Sequence, residues 1–403
     1  MTQTIISDAG KDTVFVQLWT TPTPEDQKQL LQTMKEKMEM FKPMSGFISM
    51  SLHPSLDGKN LAVYAQWESQ AAFEAAVSSN SQAMEARKSF TQYGDYQGAL
   101  CTVDTVMQAE ALPITTNAEF NRVFSHHTAE VNGVKIHYVM GGQGEPLLLV
   151  HGHPETWYAW RKIMPALAEH YTLIVPDLRG YGDSSKPEMG YEKHIVAEDL
   201  HQLLQSLNVQ RYYLVAYDFG GPVAYAIAAA HPEQVIRFVA MECGGPPGFG
   251  LEQAFDVAHG GQWHFGFFMA PEFPEMLTAG REREFLTAFA FKGKFVYQKD
   301  AISDADVAEY VRCNGTPSGM RAGFAYYRAL PADAQYNRET FKGKLKIPVL
   351  VLDGDHSFAG LTFEGMQAVA ENVRGEVIQD CGHFIPEEQP EVLTQHILSF
   401  FQE

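Results

Sequence analysis

The chain has 403 residues, more than one compact core usually fills, which argues for two domains. Its composition, 45% hydrophobic and 20% charged, is that of an ordinary globular protein rather than a disordered one. The formal net charge of −19 excludes the basic footprint that nucleic acid or an anionic membrane surface requires, so neither is expected as a partner.

In chain order, residues 13–19 (VFVQLWT) read as a strand, and residues 24–41 carry apolar side chains at helical spacing after a Pro-Glu-Asp start. Residues 46–53 and 60–67 alternate like two strands paired across Asp57-Gly58. A second helix is expected over 70–79 and a last strand over 99–107. The order β-α-β-β-α-β is a ferredoxin-like α+β unit, with residues 1–110 as the first domain. The stretch YAQWESQAAFEAAVSSN (64–80) resembles the strand-Trp-Glu-Ser-helix signature of the antibiotic-biosynthesis monooxygenase-like family. That resemblance implies sheets paired into dimeric α+β barrels, hence a homodimer or higher homo-oligomer formed through this domain. The family includes cofactor-free oxygenases. Where many relatives carry a histidine near the end of the second helix, this chain has Asn80; Trp67 and Asn80 are the only evident handles for such chemistry.

Residues 111–121 read as a polar linker with one proline, and 122–403 as the second domain. It opens with a hairpin turning at Asn132-Gly133. Apolar strands at 146–152, 171–177, 212–218, 235–243, 348–354 and 375–381 then alternate with helical stretches, the pattern of a mostly parallel sheet covered on both faces. The aromatic- and Gly-rich segment from about 245 to 340 breaks this rhythm and reads as an inserted helical cap.

Four motifs carry chemistry. Ala216-Tyr-Asp218-Phe219-Gly-Gly221 has the small-x-nucleophile-x-small-small pattern of a nucleophile elbow, in which small flanking residues allow a sharp strand-to-helix turn. Asp218 is ionised near neutral pH without help and can attack carbon to form an ester; an aspartate capping a helix is the ordinary alternative. His151-Gly-His153-Pro follows the strand at 146–150, placing the backbone N–H groups of His153 and Phe219 as an oxyanion hole, with the His153 side chain expected to be a bystander. The loop Asp177-Leu-Arg-Gly-Tyr-Gly-Asp183 reads as structural, Arg179 pairing with Asp183. His383, after the last strand, suits a general base. The acid that orients it is Glu242, at the end of strand VIRFVAMEC, or Asp355, in LDGDHSFAG where Ser357 stands at a place often taken by an acid; motif position favours Glu242.

Residues 122–403 resemble the epoxide hydrolase branch of the α/β-hydrolases, which also contains haloalkane and fluoroacetate dehalogenases. Asp218, Glu242 and His383 match that branch's nucleophile, acid and base. Haloalkane dehalogenases typically carry Trp after the nucleophile and Asn in the His-Gly-x-Pro loop, and fluoroacetate dehalogenases carry Arg after the nucleophile; this chain has Phe219 and His153 at those places. An epoxide instead needs a donor from the opposite wall. The resemblance implies Tyr327, in MRAGFAYYRAL beside the competing Tyr326, and His264, in GQWHFGFF, as the ring-opening pair. Trp157, Phe265, Phe267 and Phe268 are expected to line an apolar pocket. The expected function is hydrolysis of a small apolar epoxide to a vicinal diol through an Asp218 ester, with dehalogenation or a bifunctional oxygenase/hydrolase as alternatives.

Cys101, Cys243, Cys313 and Cys381 form no C-x-x-C pair and no Cys/His group has zinc spacing, so neither metal nor cofactor is expected. The first ten residues lack the basic start and apolar stretch of a secretory signal, and no apolar run approaches the roughly 18 residues of a membrane span. A cytoplasmic enzyme is expected.

Overall fold

The computed structural model describes residues 13–38, 40–41, 44–55, 57–79, 89–102, 120–251 and 262–403. The chain divides into two compact units, Met1–Glu110 and Ala111–Glu403.

In the first unit, β1 (Thr13–Thr20), β2 (Phe47–Pro54), β3 (Asn60–Trp67) and β4 (Asp95–Thr102) form one antiparallel sheet in the order β2-β3-β1-β4. Its helices include Pro24–Met38 and Gln70–Ser79. Acidic Glu25 and Asp26 in the first turn and Lys35 and Lys37 in the last complement the dipole of the first helix, which ends short of the expected residue 41. The last strand begins earlier than expected, because β4 pairs along the whole of β1, from Thr20↔Asp95 to Thr13↔Thr102. Residues 103–107 and Asn80 lie outside the described residues. Trp19, Leu30, Met34, Leu61 and Val63 form the core between sheet and helix.

The second unit is an eight-stranded sheet in the order β12-β11-β10-β9-β7-β8-β6-β5. β5 (Phe124–Val131) and β6 (Val134–Gly142) form the expected hairpin; Asn132 and Gly133 both take positive φ (47° and 74°), as a type I′ turn demands. β7 (Glu145–Val150), β8 (Tyr171–Pro176), β9 (Tyr212–Tyr217), β10 (Val235–Met241), β11 (Val349–Gly354) and β12 (Val373–Ile378) run parallel. Leu147 to Val150, Tyr212 to Tyr217 and Val349 to Gly354 are buried throughout, as strands covered on both faces must be. The chain leaves β7 first toward β8 and later returns to β9 on its other side, which makes the ends of β7 and β9 the switch point where such sheets bind ligands.

Helices Trp263–Met269, Phe273–Thr278, Glu282–Leu286, Asp304–Asn314, Pro317–Arg328 and Leu330–Thr340 lie between β10 and β11 and build the cap; residues 252–261 of this segment are not among those described. The loop after β8 corrects one expected pair. Arg179 is buried and forms its ion pair with the equally buried Asp199 of helix Lys193–Ser206, whereas the exposed Asp183 binds Arg312 of the cap at 3.1 Å. A buried guanidinium needs a buried carboxylate, and Asp183 points to solvent. Among the described residues no helix is long and apolar enough to cross a membrane.

Candidate active site

β9 ends on Tyr217, and the chain turns at Asp218 (φ 50°) into helix Gly220–Ala230. Positive φ is unfavourable for residues other than glycine, though Asp tolerates it better than most. The turn is pinned on both sides: Asp218 N–H donates to the Met241 carbonyl (3.1 Å), and the Asp218 carbonyl accepts from Gly221 N–H (2.9 Å). It also depends on small neighbours. A Cβ on Gly220 would lie 2.3 Å from the Val150 carbonyl oxygen, and one on Gly221 would lie 2.5 Å from Cys243 Cβ. The Asp218 carboxylate therefore stands at a helix N-terminus, whose backbone dipoles favour negative charge.

The loop after β7 reaches the same point. His153 N–H donates to Asp218 Oδ1 at 2.6 Å, and Phe219 N–H is the second backbone donor to the carboxylate. Gly152 makes the approach feasible, since a Cβ there would meet Asp218 Cβ at 2.3 Å.

His383 Nε2 lies 3.4 Å from the other oxygen, Asp218 Oδ2, and His383 Nδ1 lies 2.9 Å from Glu242 Oε2. Glu242 follows β10 with φ 47° and is fully buried. Its Oε1 accepts from Gly354 N–H (2.7 Å) and its Oε2 from the Ser357 hydroxyl (2.5 Å). Asp355 instead accepts from Cys381 N–H at 3.0 Å, so of the two acids Glu242 is the one against His383. Ser357 stands where an acid is often found, and it takes a different part by anchoring Glu242.

Burial opposes a charged imidazolium, but the hydrogen bonds and charges of Asp218 and Glu242 outweigh it and push His383 up to about 10. At Asp218, burial is likewise outweighed by His383 and the two backbone donors, which hold the carboxyl below its ordinary range. At Glu242 burial dominates and raises the carboxyl. With Gly354, Ser357 and His383 all donating to it, we take Glu242 as a carboxylate at neutral pH.

The cap supplies the opposite wall of a cavity of about 50 Å³. Tyr327, at the end of helix Pro317–Arg328, and His264, in helix Trp263–Met269, line it together with Asp218, their rings 5.9 Å apart. Burial, reinforced by the Asp218 charge, raises the Tyr327 phenol far above its ordinary range, and burial pulls His264 down to about 3. Both are neutral at neutral pH. Tyr326 faces away, donating its hydroxyl to the Arg179 carbonyl (2.9 Å). Phe219, Phe265, Phe289, Phe295 and Phe358 complete an apolar lining.

Three expected lining residues are elsewhere. Trp157 is buried behind the loop, its N–H on Asp177 Oδ1 (2.9 Å) and its ring against Phe120, His126 and Tyr158. Phe268 forms a second layer, packed against His153, His264, Phe324 and Tyr327. Phe267, also outside the lining, packs on Trp263 and Phe268. On this short helix only one stripe reaches the cavity, and His264 and Phe265 occupy it. Phe289, Phe295 and Phe358 went unforeseen because isolated phenylalanines in the cap and after β11 carry no motif.

A doubly wound sheet with a half-buried carboxylate on the elbow at its switch point, facing a His–Glu pair, defines an α/β enzyme with its chemistry at the strand ends. Residues 145–390 match the model of the alpha/beta hydrolase fold, and the chain belongs to that family. Residues 13–87 match the antibiotic biosynthesis monooxygenase family. The soluble epoxide hydrolase of Corynebacterium sp. (strain C12) is 36% identical over 280 residues, covering 69% of this chain and 97% of that protein. A fluoroacetate dehalogenase of Burkholderia sp is 28% identical, covering 70% of this chain and 94% of that protein. The crystal structure of Cfl2 from Burkholderia cenocepacia shares 41% identity with a TM-score of 0.66, covering 69% of this chain and 96% of that one.

Proposed function

We propose that the second unit is an epoxide hydrolase that opens its substrate through a covalent ester on Asp218. The observation that carries this reading is the opposition across one cavity of the Asp218 carboxylate and two neutral donors, Tyr327 and His264. Asp218 Oδ2 attacks a ring carbon, the C–O bond breaks toward the oxygen, and Tyr327 and His264 donate to the forming alkoxide, which takes its proton from the Tyr327 hydroxyl; the proton that His383 then gives up restores the phenol. Esterification removes the charge of Asp218, one of the two carboxylates that keep His383 protonated, so the imidazolium can release its proton. Neutral His383, oriented by Glu242, then takes a proton from water, and the hydroxide adds to the ester carbonyl. His153 and Phe219 N–H groups hold the oxyanion until it collapses to the diol and the free carboxylate. A halide-releasing reading has less support: Phe219 follows the nucleophile and brings no charge or donor side chain into the cavity.

Single-turnover reaction in ¹⁸O-labelled water tests the proposal. The first diol formed should carry unlabelled oxygen from Asp218, and the label should appear in the Asp218 carboxylate. Label entering the first diol directly, with Asp218 unlabelled, would mean that water attacks the epoxide itself.

We further propose that the first unit joins copies of the chain. Relatives such as the Corynebacterium enzyme correspond to the second unit alone, which supports its folding without the first. Deleting residues 1–110 should leave a monomeric hydrolase with undiminished turnover; an unchanged number of copies per particle by light scattering contradicts this role.

A further inference from the structure

The His153 side chain has no part in the mechanism above, which uses only its backbone, yet the protein holds it with care. The imidazole is buried and lines the cavity beside Asp218 and Tyr327. Its Nδ1 lies 3.0 Å from the Tyr181 hydroxyl, and its ring packs edge-on against Tyr327 at 5.5 Å. The cap makes room for it at Gly323, one turn before Tyr327, where a Cβ would come within 2.8 Å of His153 Cε1.

The tautomer follows from the hydrogen-bond accounting. Tyr181 is buried, and its hydroxyl has His153 Nδ1 as its partner among the described residues. A buried phenol proton must be donated somewhere, so the Tyr181 O–H donates to Nδ1 and the ring proton sits on Nε2. Burial pulls His153 down to about 4, so the ring carries that single proton at neutral pH. Nε2 is buried and unpartnered among the described residues, in a site whose lining is largely aromatic but also holds Asp218, Gln262, His264, Tyr327 and His383. A dry donor left unmet is unfavourable, and a ligand atom that accepts from it recovers that loss.

We infer that His153 is a specificity-determining residue, its Nε2–H binding an acceptor oxygen that the substrate carries beside the oxirane. The preferred substrates are then epoxides bearing an ether or carbonyl oxygen, not hydrocarbon epoxides of the same shape. This rests on the epoxide reading given above. Sites built to hydrogen-bond a substrate group discriminate strongly against the analogue that lacks it, because their own polar atom is left unpaired.

The full-length protein tests this with phenyl glycidyl ether and (2-phenylethyl)oxirane, which differ only by CH2 in place of the ether oxygen. The ether's intrinsic reactivity cancels when each variant's ratio of kcat/KM values is compared with that of the wild type. His153→Phe should lower the ether-to-hydrocarbon ratio by about tenfold, mainly through KM for the ether. Tyr181→Phe, which removes one buried oxygen and unlocks the tautomer, should lower it partway and guards against a His153 variant that does not fold. Ratios equal to wild type in folded variants overturn the inference while leaving the epoxide reading intact. A wild type that turns over neither compound, nor any other epoxide, overturns both.

Discussion

Asp218→Asn is expected to lose about 10⁴-fold or more of the epoxide turnover while keeping the fold, because an amide cannot form the ester that the two-step route requires. Asn is the informative replacement. It tolerates the positive φ of this position, and its carbonyl oxygen can still accept from His153 N–H, so the oxyanion donors are not left bare. Ala at φ 50° would add backbone strain and would leave two buried N–H groups unpaired, but it closes any route back to Asp through deamidation; both variants should be inactive. The change should also be visible at His383. Its elevation to about 10 depends on both flanking carboxylates, so removing one lowers it, which imidazole NMR titration would detect. The linkage sign is fixed. A raised histidine contributes stability that is complete below its ordinary range near 6.5 and fades as pH climbs through about 10. In Asp218→Asn that alkaline loss should begin at the same pH, set by the unfolded histidine, but should be smaller and end at lower pH. Retained turnover in a correctly folded Asp218→Asn protein would rule out the covalent route.

The elements and residues legible in the sequence are those governed by local pattern. The hairpin at Asn132-Gly133 follows from turn chemistry, and the parallel strands follow from continuous apolar runs too short for helices. The Asp218 elbow is readable because the backbone geometry itself demands small residues, and Gly220 and Gly221 stand where an added Cβ would come within 3 Å of its neighbours. What stayed hidden depends on side chains meeting from distant segments. Arg179 reads as pairing with Asp183 in its own loop, and burial sends it instead to Asp199 on a helix that the sequence gives no reason to bring near. Ser357 gave a signal, a hydroxyl in an acid's usual place, but its bond to Glu242 requires β10 and β11 to be neighbours. Cap phenylalanines are the least legible of all, since a one-residue rotation of helix Trp263–Met269 exchanges the residues that face the cavity. The site thus divides by origin: Asp218, Glu242, His383 and the oxyanion donors come from strand ends fixed by the sheet, while Tyr327, His264 and the apolar lining come largely from the cap. In the proposed reaction the first group forms and hydrolyses the ester while Tyr327 and His264 of the second assist ring opening, and His153 lies between them, bonded to Tyr181 and close to Gly323.

His383→Gln should separate the two steps. The amide cannot take a proton from water, so hydrolysis slows by about 10²–10⁴-fold, whereas attack by Asp218 needs no base and still proceeds. An excess of epoxide should therefore release no steady flux of diol, and intact-mass analysis should show one equivalent of substrate mass added to the chain. Peptide mapping should place the adduct on Asp218. Gln is close to His in reach and can keep a hydrogen bond to Glu242, which limits the disturbance that an unpaired buried carboxylate would bring. In the wild type the same logic has a pH signature. The free enzyme holds His383 protonated up to about 10, but the ester has lost the Asp218 charge, so the imidazole must titrate lower in the intermediate. The single-turnover rate of ester hydrolysis should then rise with pH along a curve whose midpoint lies clearly below 10. Accumulated adduct in His383→Gln with a midpoint unchanged at about 10 in the wild type would keep the ester but remove the electrostatic coupling; a His383→Gln protein that binds epoxide and never gains mass would remove the ester itself.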